Sequence, residues 1–194
     1  MSPPAASLAT ARHLFRRFRR SRRGTAAVEF ALVAPLFFAL LFAVIETAIV
    51  FFASQVLETV IQDAARQVLT GQAQTAGYTD ATKFRNGVIC QTSNVVNVLF
   101  DCANGIYVDV QSYPSFTNVP AITNPIDGSG NFTPGVLGYN PGGSCDTVVA
   151  RIFYQWPLFV TGLGYNITNL TGNKRLLVAT AAFRNEPYNG ACPS

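Results

Sequence analysis

Histidine is almost missing from this chain: 194 residues carry one, His13, ahead of the long apolar run. A Ser/His or Cys/His nucleophile therefore has no imidazole in the bulk of the chain. The four cysteines lack CxxC spacing and have no histidine to complete a zinc site. Charge is scarce as well, at 12% of residues. Asp101, Asp109, Asp127, Asp146 and Glu186 show neither paired-carboxylate nor EF-hand spacing. No glycine-rich phosphate loop follows a strand-like run. These absences leave no catalytic residue, no metal and no cofactor to expect, and they argue against an enzyme.

Acids are absent from the first 23 residues, where seven arginines cluster: Arg12, Arg16, Arg17, Arg19, Arg20, Arg22 and Arg23. Beyond Gly24, seven basic residues face ten acids, a net of −3. The overall charge of +4 is thus a property of the leader. A nucleic-acid partner would have to be read from those residues alone, and none is expected. An arginine-rich head before an apolar run is instead a topological signal that stays on the cytoplasmic side and sends the rest outward. The leader also has the makings of a basic amphipathic helix on anionic membrane lipid, with Leu14, Phe15 and Phe18 dipping inward.

From Thr25 to Ala53 the residues are apolar apart from Thr25, Glu29, Glu46 and Thr47, with Pro35 inside. About 20 residues cross a hydrocarbon core, so a span starting at Thr25 ends near Val44 and leaves Glu46 at the far interface. Glu29 lies inside the apolar run, where a charge costs up to ~2.5–3.5 kcal/mol at a helix centre on insertion scales. The helix does not stop at the membrane surface. Val56, Leu57, Val60, Ile61, Ala64, Ala65, Val68 and Leu69 recur at helical spacing, opposite Ser54, Gln55, Glu58, Thr59, Gln62, Asp63, Arg66 and Gln67. Gly71 is the expected stop. One helix over 25–70 would be about 70 Å long at ~1.5 Å per residue, a design of no use to a cleaved signal peptide.

The division that follows is a leader over 1–24, a transmembrane helix over 25–53, its amphipathic continuation over 54–70, and an exported α+β domain over 71–194. Within the last, a second helix is expected from Thr79 to Phe100, with Phe84, Val88, Val95 and Leu99 on one stripe. Strands are expected at Ile106–Tyr113, Thr147–Trp156 and Arg175–Arg184, forming an antiparallel sheet with one wetted face. The amphipathic half of the long helix is its natural cover. The loop over 114–146, punctuated by Pro114, Pro120, Pro125, Pro134 and Pro141 and six glycines, reads as solvated padding, with a binding surface as the alternative. Pro157–Leu170 is an apolar loop, either core under the sheet or a patch for a partner. Cys90, Cys102, Cys145 and Cys192 all follow the apolar run, as an oxidising compartment beyond a membrane allows. Two bridges have three pairings, which sequence alone does not separate. The short loop favours Cys90–Cys102, leaving Cys145–Cys192, and free thiols are the alternative. Three Asn-x-Thr triplets begin at Asn131, Asn166 and Asn169 and match a glycosylation pattern that arises readily by chance in such a chain.

Gly24-Thr-Ala-Ala-Val-Glu29-Phe30, after a basic leader and before an apolar span, resembles the substrate of type IV prepilin peptidases. Extended to Ala31-Leu-Val-Ala-Pro35, it is similar to the opening of the TadE-like family of tight-adherence (Tad/Flp) pilus proteins. Tyr154-Gln-Trp-Pro157 and Ala182-Phe-Arg-Asn-Glu-Pro-Tyr188 resemble that family's C-terminal strand pattern. The resemblance implies a pilin-like α+β fold and cleavage between Gly24 and Thr25. It implies subunit docking through Glu29 and the adjoining Phe30, with the glutamate meeting the freed amine of a neighbouring copy. It also implies a prepilin peptidase, an inner-membrane assembly platform and other pilin or pseudopilin subunits as partners, and a role in pilus assembly, adhesion and biofilm formation. Two further readings stay open: an uncleaved anchored assembly factor of the same pilus, and an unrelated signal-anchored ligand-binding ectodomain. For Arg184-Asn-Glu-Pro187 the expectation is a satisfied turn at a strand exit, with Arg184 and Glu186 as a weak surface pair.

Overall fold

A computed structural model describes residues 24–161, 165–190 and 192. The arginine-rich leader, His13 and the glycine-flanked Leu163 lie outside the described residues. The chain divides into two compact units, Met1–Val44 and Ile45–Ser194. Helix α1 (Thr25–Leu69) passes from one into the other with Pro35 inside it. Among the described residues it is the one helix long and apolar enough to cross a membrane.

The second unit is α+β. Gly71 ends α1 in the left-handed region at φ 76°, where a side chain would collide with the Tyr188 ring. Short helical pieces follow: α2 (Gln72–Thr75), α3 (Ala81–Phe84), a π-helical turn Arg85–Ile89, α4 (Cys90–Thr92), α5 (Asn94–Leu99) and α6 (Cys102–Gly105). The single helix expected over 79–100 is therefore broken. Ser93 is extended (φ −158°, ψ 142°) and its side chain accepts from the Val95 N–H, starting a new helix. That restart shifts the helical phase. Val96 becomes fully buried, while Val95, expected on the inner stripe, is half-exposed. Disulfides join Cys90 to Cys102 and Cys145 to Cys192, the favoured pairing.

Strands β1 (Ile106–Tyr113), β2 (Thr147–Pro157) and β3 (Lys174–Arg184) form one antiparallel sheet in the order β1-β2-β3. Register places Val108, Ile152 and Ala179 in one row and Val110, Ala150 and Ala181 in the next. These rows are buried with Ala53, Leu57, Val60, Ile61, Ala64 and Val68 of α1 in one core, as the one-sided upper half of the helix predicts. Alanines at the contact let helix and sheet approach closely.

The opposite face is not simply wet. From Thr147 to Phe153 every β2 residue is buried, whichever way its side chain points. The Pro/Gly-rich loop supplies the cover, correcting its reading as solvated padding. Phe132 sits edge-on to Tyr107 at 4.8 Å and tilted against Phe153 at 5.9 Å, and Ile126 and Leu137 join the same cluster. Residues 138–140 run beside β1: the Val110 N–H donates to the Gly138 carbonyl and the Asn140 N–H to that of Val110. A sheet edge is thereby closed without a regular strand. On β3 the cover reaches Leu176, buried in the same cluster, whereas Val178, Thr180 and Ala182 stay exposed.

Under this cover Asp109 and Arg151, cross-strand partners, form a buried ion pair. Arg151 Nη2 and Nε donate to Asp109 Oδ2 at 2.6 and 2.9 Å. Arg151 Nη1 reaches the Thr123 carbonyl, and Asp109 Oδ1 accepts from the Gly138 N–H at 2.9 Å. The guanidinium lies 5.2 Å from the Phe153 ring centre. The pair thus ties β1, β2 and two points of the loop together. Removing one partner of such a pair leaves the other charged and buried, which costs about 3–5 kcal/mol, whereas an apolar replacement of both costs far less. Asp109→Ala should lower the urea stability of the full chain in detergent micelles by that amount. Asp109→Leu with Arg151→Met should recover most of it, and equal losses in the two variants would contradict the assignment.

Candidate functional site

Gly24, Thr25, Glu29 and Phe30 lie at the start of α1. They are exposed, Phe30 to 67%, and so are the neighbouring apolar residues Val28, Leu32, Val33 and Leu36. No ion pair or side-chain hydrogen bond reaches Glu29 among the described residues. A side chain added at Gly24 would meet open space, so packing among those residues does not require a glycine there. An unpaired carboxylate on an apolar, unburied helix face is costly in lipid, and the usual resolution is a partner charge or hydrogen-bond donor.

The second acid of the apolar run shows such a resolution. Glu46, expected at the far interface of the span, is buried within the protein, at 8% exposure. Its two carboxylate oxygens accept from the backbone N–H groups of Phe159 and Val160, at 2.5 and 3.1 Å. One residue on, Thr47 Oγ1 is hydrogen-bonded to the Tyr165 hydroxyl. The apolar loop after β2 is therefore held to α1 by polar contacts at two consecutive helix positions. Part of this loop takes the expected core role. Leu158 and Leu170 are buried and belong to the core, whereas Phe159 is 86% exposed. This anchor was missed in the sequence. The signal for it was a second acid in the apolar run, paired with a 22-residue stretch free of charge from Ile152 to Asn173.

The C-terminal motif is a satisfied turn, as expected, though by other contacts. Arg184 Nε donates to the Cys145 carbonyl, and no Arg184–Glu186 ion pair occurs among the described residues. Asn185, 2% exposed, donates its side-chain amide to the Pro141 and Gly143 carbonyls. The Glu186 N–H donates to the Leu69 carbonyl at 2.8 Å. The segment closes the end of α1 and the end of the long loop in one place, which is a structural task. The cleft beside Asp109 and Arg151, lined also by Gln111, Tyr113, Ile122 and Val136, holds two charged groups that already neutralise each other. The Asn-x-Thr asparagines serve local turns: Asn166 Oδ1 accepts from the Thr168 N–H and Asn169 Oδ1 from the Leu176 N–H.

Residues 24–66 match the family model described as TadE-like protein, the family that the opening motif resembles. That is a family of tight-adherence pilus components and not an enzyme family. No curated protein and no solved structure matches the chain.

If Glu46 holds the loop, losing its carboxylate frees two amides. A hydrogen bond to a charged group is worth about 1.5–3 kcal/mol, so Glu46→Ala should speed hydrogen exchange at Phe159 and Val160 by roughly 10- to 100-fold. Glu46→Gln, which keeps one acceptor oxygen, should fall between. Unchanged exchange in Glu46→Ala, measured on the full chain in micelles, would remove the anchor.

Proposed function

We propose that the chain is a minor pilin-like subunit of a Tad/Flp pilus, stored in the bacterial inner membrane with its N-terminus cytoplasmic and its disulfide-bonded domain periplasmic. One observation carries the reading: Glu29 is an exposed acid on an apolar helix face, with no ion pair or side-chain hydrogen bond among the described residues, five residues after a glycine that packing among those residues does not require. The TadE-like match begins at that glycine. A prepilin peptidase cutting between Gly24 and Thr25 would create a free amine one turn before Glu29. In a packed bundle the carboxylate of one copy then meets the amine of the next, so two costly charges become a pair. Phe30 and the apolar residues around it supply the packing surface. The subunit acts in pilus assembly, and through the pilus in adhesion and biofilm formation.

Processing is read from the N-terminal sequence of the protein recovered from membranes. It should begin at Thr25 in cells with the peptidase and retain the arginine-rich leader in cells without it. A leader retained in both would favour a permanently anchored assembly factor. Glu29→Ala should still be membrane-inserted and oxidised at both disulfides, yet fall by at least tenfold in the sheared-pilus fraction. Undiminished recovery would make Glu29 incidental.

A further inference from the structure

The polar anchor at Glu46 fixes how far down α1 the exported domain reaches. Exposed apolar residues continue along this part of the helix through Ile49, Phe51 and Phe52, and exposed polar residues begin at Gln55. An apolar surface that ends between Phe52 and Gln55 marks where the lipid-facing part of the helix gives way to water. Glu46 lies six residues before Phe52, about 9 Å at ~1.5 Å per residue. Helix side chains also tilt toward the N-terminus, so its carboxylate points further from the aqueous side. The Phe159 and Val160 N–H groups bonded to that carboxylate must lie on the hydrocarbon side of Phe52.

The loop is suited to that depth. Ile152–Asn173 contains no charged residue. Tyr165, an amphipathic ring of the kind enriched at membrane interfaces, bonds Thr47 at the same level. Leu158 turns inward while Phe159 projects outward at 86% exposure, with no aromatic partner among the described ring contacts. A phenylalanine held open beside a lipid-facing helix is a second point of membrane contact. We infer that Phe159 inserts into the outer boundary between headgroups and acyl chains of the bilayer that α1 crosses, so that the exported domain rests on the membrane. The inference rests on the membrane-stored reading given above. Its consequence is orientation: a domain held at α1 and at Phe159 cannot swing freely on its helix, and leaving the bilayer would require withdrawing this wedge.

The test is depth measurement by spin labelling on the full chain. All four cysteines are in disulfides, so Phe159→Cys introduces a single reactive thiol at an exposed position. Phe42→Cys, within the span, and Ser129→Cys, on the exposed loop, are the references. Each labelled chain is reconstituted in phosphatidylethanolamine/phosphatidylglycerol vesicles, and collision with oxygen is compared with collision with a nickel chelate. The Phe159 label should be oxygen-rich and several-fold poorer in nickel contact than the Ser129 label, at a depth of about 5–10 Å. A Phe159 label matching Ser129 while Phe42 stays deep would overturn the wedge and leave the span intact. A Phe42 label open to nickel would overturn both. Shielding of the Phe159 label from oxygen and nickel alike, with dipolar broadening that grows with protein density, would place a second copy there instead of lipid.

Discussion

A carboxylate set into an apolar helix has to be met by donors, and α1 carries two such acids with opposite local solutions. Glu46 takes two backbone N–H groups from the loop after β2. Glu29 has no partner among the described residues. The first arrangement ties the loop that follows the central strand β2 to α1 at Glu46. The second leaves a carboxylate without a donor among the described residues, the place that the proposed neighbouring copy would fill. Both follow from one energetic rule: in a medium of low dielectric an unpaired charge costs more than the geometry needed to pair it.

The same rule operates within the sheet. Asp109 and Arg151 are buried beneath a loop rich in proline and glycine, which cannot make a regular ladder. The arginine fixes that loop by bonding the Thr123 carbonyl, and the aspartate by taking the Gly138 N–H. With Phe132 packed on Phe153, these contacts turn an irregular segment into a second covering layer. The Cys145–Cys192 bridge and Asn185 then secure the far end of the loop against the end of α1. The result is a small sheet with a helix on one side and a bonded loop on the other, joined to the upper half of α1 at Glu46 and at Leu69.

Elements with a strong period were legible in the sequence. α1 from Thr25, its stop at Gly71 and the three strands all follow from repeating apolar positions and turn residues. The interruption at Ser93 was hidden because a serine in the middle of a helical stripe and one capping a new helix look alike in composition. The cover over β2 was hidden for a different reason. Ile126, Phe132 and Leu137 lie singly among turn residues, and single apolar residues carry no period. Asp109 and Arg151 sit at alternate strand positions that normally face water, and only the register shows them to be opposite each other. Of the candidate site, Gly24, Thr25, Glu29 and Phe30 were legible as a local motif, whereas Glu46 depends on a loop more than 100 residues away.

The claim on which the functional account turns is that Glu29 awaits the amine of another subunit. Zero-length carbodiimide coupling joins a carboxylate to an amine only when the two are in contact. Applied to isolated pili, it should yield a peptide in which the Glu29 side chain is amide-linked to the N-terminal amine of a neighbouring pilin, absent from detergent-dispersed monomers. Efficient activation of Glu29 in the pili, with no link to any N-terminus, would contradict the account.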